Sequence, residues 1–259
     1  MITILGGTDA GLVRKTNQDK YEYKVLGELL CYGVVCDGMG GTDCGHVASQ
    51  TAIDFVAKTL ERDLKPEMSE SSIKGVMMSA AAGANALVFD AASQNPHYAG
   101  MGTTLVAAVV SGESVYISSV GDSRVYHINK GGQHQLTRDH TVVQMLLDVG
   151  EISQEEVAEH PKRHFITRAV GVMPQVDADF IEHTFAPGDM LLLCSDGLYN
   201  CVGQDNMAQT ALFAHLEKSV QSGSVDNLIE LAKNVGGGTD NITAVLICYE
   251  AAGQPGEGA

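Results

Sequence analysis

The sequence predicts an α+β chain in which antiparallel sheet packs against itself and helices cover the outside. Short β-branched apolar runs of strand length recur along it, bounded by Gly, Asp, Asn or Ser, and stretches with helical spacing fall between groups of them. Residues 105–136 also carry three or four strands in succession, joined by the short turns SGES, GDS and KGGQ. That succession is the mark of an antiparallel meander and disfavours a strictly alternating parallel fold.

The strands predicted are 31–36 (CYGVVC), 105–110 (LVAAVV), 114–120 (SVYISSV), 124–128 (RVYHI), 190–194 (MLLLC) and 242–249 (ITAVLICY). Helical spacing predicts helices over 46–61, 72–92, 141–149, 206–217 and 225–235. No composition break or internal repeat divides the chain, so residues 1–250 are expected to form a single domain. Residues 251–259 lack apolar periodicity and are expected to be a disordered tail.

Composition narrows the function. Sixteen Lys and Arg stand against 32 Asp and Glu, a net charge of -16, which disfavours a basic surface for nucleic acid or anionic lipid. Aromatics are 5% of residues and Trp is absent, so base-stacking platforms are lacking as well. No apolar run approaches the roughly 18–20 residues of a membrane span, and residues 1–7 do not read as a signal peptide. The expected address is the cytoplasm, without membrane insertion. The six cysteines contain no CxxC pair, so neither a disulfide framework nor a cysteine zinc site is indicated; Cys44 and Cys201 are expected in loops.

The chemistry lies in aspartates at strand ends: Asp37 after GVVC, Asp122 after YISSVG, Asp196 after MLLLCS and Asp240 before NITAVLIC. A lone Asp-Gly is a favoured turn pair, but the same arrangement four times over is not explained by turns alone. A carboxylate abutting LLLC must be paired, and few basic residues lie near these motifs. Bound divalent cations resolve the imbalance, and aspartates with backbone carbonyls suit magnesium or manganese. Gly38, Gly40 and Gly41 let the backbone approach an ion, making the Gly38 carbonyl a candidate ligand. Several carboxylates around two ions describe a centre for hydrolysing phosphate esters. Arg14, in GLVRKTNQD, is the candidate to bind the phosphate, because its planar guanidinium can engage two oxygens at once.

At this point the chain resembles the metal-dependent serine/threonine protein phosphatases of the 2C type (PPM family), in their bacterial branch. The resemblance runs in order through GLVRKTNQD (11–19), VVCDGMGG (34–41) with GHVAS (45–49), GMGTTLVAAVV (100–110), VGDSRVY (120–126), LTRDHTVVQMLLDVGEIS (136–153), HPKRHFITRAVG (160–171), PGDMLLLCSDGLYN (187–200) and GTDNITAVLI (238–247). It implies a four-layer α-β-β-α sandwich, two antiparallel sheets flanked by helices. It further implies two Mn2+ or Mg2+ ions per chain. Asp37 would bridge them, the Gly38 carbonyl would ligate one, and Asp196 and Asp240 would hold the other. Asp122 would share a weaker third ion with Asp196, Asp19 and Asn241 would support the site, and Arg14 would bind the substrate phosphate. By the same resemblance a metal-bridging hydroxide attacks phosphorus directly, so Arg14 and Asp37 carry the catalysis and no cysteine is needed. The expected partners are phosphorylated proteins and a cognate serine/threonine kinase, and the expected state is a monomer.

Two positions depart from the pattern. Met39 stands where some eukaryotic members have a histidine, leaving the leaving-group acid unassigned, with metal-bound water preferred over His46. Gln18 stands where some relatives have an acidic residue. His160 and His164 have a spacing compatible with zinc, but Pro161 and the lack of further ligands argue against it. By resemblance residues 139–171 contain a flap, which would bring Lys162, Arg163 and His164 near substrate. The alternatives are a small-molecule phosphoesterase on the same site and an inactive phosphopeptide-binding module; the latter is opposed by the presence of Arg14, Asp37, Asp196 and Asp240 together.

Overall fold

A computed structural model describes residues 1–40, 44–202 and 206–250. In chain order the elements are β1 (Ile2–Asp9), β2 (Asp19–Gly27), β3 (Leu30–Met39), α1 (Cys44–Asp63), α2 (Glu70–Gln94), a 3-10 turn (Pro96–Tyr98), β4 (Gly102–Thr103), β5 (Leu105–Ser111), β6 (Ser114–Val120), β7 (Arg124–Asn129) and β8 (Gly132–Gln135). They continue with α3 (Val142–Asp148), α4 (Gln154–Val157), β9 (Asp179–Thr184), β10 (Met190–Cys194), α5 (Asp196–Val202), α6 (Asn206–Ser222), α7 (Asp226–Gly236) and β11 (Ile242–Tyr249).

The strands form two antiparallel sheets, one ordered β1-β11-β10-β7-β8 and the other β2-β3-β5-β6-β9 with β4 added to β3. Helices α1 and α2 cover the second sheet, and α5, α6 and α7 cover the first, giving the four layers expected. Central strands face apolar neighbours on both sides, which is why they read as continuous apolar runs. On β3, Tyr32, Val34 and Cys36 pack toward the helices while Cys31 and Val35 pack between the sheets. On β11, Ala244, Leu246 and Cys248 face the helices and Val245, Ile247 and Tyr249 the other sheet.

The meander expected over 105–136 is not one meander. β5 and β6 pair in one sheet, β7 and β8 in the other, and the chain crosses between them at Gly121-Asp122-Ser123. Thr141 and Val149 cap α3 rather than belonging to it, the Thr141 hydroxyl accepting from the Gln144 N–H. Cys44 and Cys201 lie in α1 and α5 rather than in loops. Among the described residues Cys31, Cys36, Cys44, Cys194 and Cys248 are free thiols. One helix, α2, is long and apolar enough by composition to cross a membrane, contrary to the sequence expectation. Its stripe of Ile73, Met77, Ala80, Ala81, Ala84 and Val88 is buried against α1 and the sheet. The tail at 251–259 and Gly41 lie outside the described residues.

Candidate metal and phosphate site

Carboxylates from several elements converge at one end of the sandwich. Asp37 closes the pairing of β3 with β2, opposite Asp19, and Gly38 and Met39 beyond it pair with β4. Asp122 sits in the crossing between sheets, Asp196 opens α5 directly after β10, and Asp240 immediately precedes Asn241 and β11. Arg14, Asp37, Gly38, Asp122, Asp196, Asp240 and Asn241 all line one cleft with a volume of about 990 Å3. Asp19 is fully buried.

The backbone fixes Asp37 on both sides. Its N–H donates to Thr104 Oγ1 at 2.9 Å, and its carbonyl accepts from the Thr104 N–H at 2.8 Å and from Thr103 Oγ1 at 2.9 Å. Gly38 permits close packing: a Cβ there would stand 2.1 Å from the Gly45 carbonyl oxygen and 2.7 Å from that of Gln18. Asp19 Oδ2 accepts from Ser195 Oγ and Thr243 Oγ1, each at 2.7 Å, while its Oδ1 is buried with no hydrogen-bond partner. Asn241 pins the segment that carries Arg14. Its Nδ2 donates to the carbonyls of Ala10 and Thr16, both at 3.0 Å, and its Oδ1 accepts from the Gln18 N–H at 2.8 Å.

Negative charge dominates. Burial, and then the charges of Asp19, Asp196, Asp122 and Asp240, push the Asp37 carboxyl well above the usual range. Burial leads again at Asp196, with Asp122, Asp240 and Asp19 adding to it and Arg14 opposing. Asp122 is pushed up to about 6, by burial first and Asp139 second. Burial also raises Asp19, against its hydroxyl donors. Arg14 reaches Asp240 Oδ2 through one terminal nitrogen at 2.7 Å and is otherwise largely exposed, leaving its other nitrogens for a ligand.

This donor set fits hard divalent cations. It offers carboxylates and a carbonyl, more negative charge than Arg14 can compensate, and a buried carboxylate oxygen without a partner. Among the described residues no three His, Cys, Asp or Glu side chains close around a single point.

The structure also places what the sequence left open. Met39, Gln18, Arg163 and His164 line the cleft, whereas His46 lies in the first turn of α1 and does not. Burial lowers the His164 imidazole, with Arg163 adding to it. Ser195, Thr243, Thr103 and Thr104 were missed as supports; a search for hydroxyls beside the aspartate-bearing strand ends would have found them. Also missed was a buried clamp in which the Arg124 guanidinium donates to both Asp139 oxygens at 2.7–3.1 Å and lies 3.6 Å over the Tyr199 ring.

Fold and site together define a metal-assisted phosphoesterase of the α-β-β-α sandwich type. The protein phosphatase 2C model matches residues 9–233, and the chain belongs to that family. It is 35% identical over 243 residues to "Serine/threonine phosphatase stp" of Listeria innocua, covering 93% of each chain. Among solved structures, the S. agalactiae serine/threonine phosphatase superposes with a TM-score of 0.84 at 31% identity, over 96% of this chain and 100% of that one. The catalytic domain of the serine/threonine protein phosphatase PstP in complex with two manganese ions gives a TM-score of 0.77 at 32% identity, over 95% and 97%.

Proposed function

We propose that this cleft dephosphorylates phosphoserine and phosphothreonine in proteins, with Asp37, the Gly38 carbonyl, Asp196 and Asp240 holding two Mn2+ or Mg2+ ions. The observation that carries the reading is the convergence of Asp37, Asp122, Asp196 and Asp240 on one cleft in which, among the described residues, Arg14 is the cation paired to a cleft carboxylate. Bound ions supply an activated water nucleophile and stabilise charge on the phosphoryl oxygens. The chain's own residues position the reactants. Arg14 binds phosphate oxygens at the rim with the nitrogens not engaged by Asp240. Asn241 fixes the segment carrying that arginine, and Asp19, held by Ser195 and Thr243, lies beneath Asp37. Asp122 and Asp196, which line the same cleft, would hold a third, weaker cation.

The curated relatives named as serine/threonine phosphatases support a protein substrate over a small phosphoester. A cognate kinase as opponent, a monomeric state and a cytoplasmic address complete the proposal. Phosphate release from a phosphothreonine peptide, followed with manganese, with magnesium and with excess chelator, tests it. Release is expected to need metal and to collapse in Asp196→Ala. No release from folded protein under any metal overturns the catalytic reading.

A further inference from the structure

Resting on the phosphatase reading, we propose that a second cavity beside the catalytic cleft receives an acidic side chain of the substrate flanking its phosphoresidue. The cavity has a volume of about 300 Å3, room for a side chain rather than for one water at about 30 Å3. It shares Asp122, Ala158, Arg163, His164, Tyr199 and Asn200 with the cleft, whereas Arg14 and Asp240 line the cleft alone. It therefore opens on the Asp122 side, away from the phosphate-binding arginine. A peptide anchored at Arg14 and crossing the cleft reaches it within a few residues, at about 3.3–3.6 Å per extended residue.

The lining selects the occupant. Val143 and Leu147 from α3 and Val157 from α4 supply an apolar wall, suited to an aliphatic stem. Two carboxylates line the cavity: Asp139, committed to Arg124 with both oxygens, and Asp122, shared with the cleft and assigned above to a cation site with Asp196. Arg163, on the partition between the two cavities, makes no ion pair among the described residues and is exposed. An aliphatic stem ending in a carboxylate matches that arrangement, which is the chemistry of glutamate. The overall charge of -16 repels acidic peptides at long range, so a preference for glutamate can arise only from a local contact.

The test compares phosphothreonine peptides bearing Glu, Gln, Leu or Lys at each of the three positions on either side of the phosphoresidue, with p-nitrophenyl phosphate alongside. At one or two positions kcat/KM for Glu is expected to exceed that for Lys and Leu by about two- to fivefold, the scale of one exposed ion pair. Arg163→Gln, at an exposed position that tolerates substitution, and Leu147→Trp, which fills the cavity, should each erase that discrimination. The ratio of peptide to p-nitrophenyl phosphate turnover falls with it. Equal turnover of the whole peptide set, a preference for Leu, or discrimination that survives both variants overturns the proposal. Failure of the unmodified enzyme to hydrolyse any of these substrates with metal would instead overturn the phosphatase reading beneath it.

Discussion

Thr243→Val isolates how the scaffold supports a buried carboxylate. The change is close to isosteric and removes one of the two hydroxyls that donate to Asp19 Oδ2, at 2.7 Å. Thr8 loses its 2.6 Å contact with Thr243 but keeps the Asn17 amide at 2.8 Å, so no new group is stranded there. Burial disfavours the charged form of the Asp19 carboxyl, so without divalent ions the lost bond gains little charge assistance and contributes about 1 kcal/mol. With ions bound the carboxylate is charged and the same bond contributes about 1.5–3 kcal/mol. For a domain of this size each kcal/mol moves Tm by about 2–4 °C, so the loss should be about 2–4 °C in chelator and about 3–12 °C in saturating manganese. Scanning calorimetry under both conditions reads this directly. A Tm loss as large in chelator as in manganese would show that Asp19 does not respond to the ions, and would refute the supporting role assigned to it.

Other outcomes follow from the same geometry. Arg14→Lys keeps the charge but loses the planar fork, and should lower kcat/KM on a phosphothreonine peptide by about 10–100-fold, the weight of a charge-assisted hydrogen bond; steady-state kinetics with circular dichroism as a fold control would show it. Gly38→Ala must push its Cβ against the Gly45 carbonyl, part of the backbone, and should cost about 1–3 kcal/mol in urea unfolding and weaken manganese binding by calorimetry. His140 is buried, its Nδ1 accepting from the Gly121 N–H at 3.1 Å, and burial holds its imidazole below 6.5. The unfolded chain then binds the proton more readily, so the stability present above pH 6.5 is lost as pH falls below it. Thermal melts should show a steeper loss between pH 7 and 5.5 for the wild type than for His140→Gln, and parallel curves would count against it.

Legibility in the sequence followed burial on both faces. β3, β5, β10 and β11 showed as apolar runs because each lies between two packed layers. β1, β2 and β9 did not. β2 reads DKYEYKVLG, an outer strand that buries its tyrosines inward and leaves charges outside, and short polar alternation carries little signal. The split of 105–136 between the sheets was hidden for a related reason: a two-residue turn and a crossing between layers both need Gly, Asp and Ser. The aspartates were legible because carboxylates at the ends of apolar strands conflict with desolvation. Their hydroxyl supports were not, since Ser and Thr at strand ends are unremarkable until the partner carboxylate is seen across the sheet.

The acidic cleft binds the fold and the ions into one problem. The Ser195 and Thr243 hydroxyls hold Asp19 and Arg14 holds Asp240, while well-buried Arg124 is committed to Asp139 and pairs with none of the cleft's other carboxylates. On the metal assignment proposed above, divalent ions would stabilise the charges of the cleft, whereas the core between the sheets is apolar and indifferent to them. Hydrogen exchange should separate the two regions. Adding manganese should slow exchange at residues 10–18, 37–40, 121–123 and 239–241, all of which bear on the cleft, and leave the slowest amides of β5 and β11 unchanged below the limit set by global unfolding. Slowing confined to the core strands, with the cleft segments unaffected, would mean that the ions act by stabilising the sandwich as a whole and that the carboxylates are not where they bind.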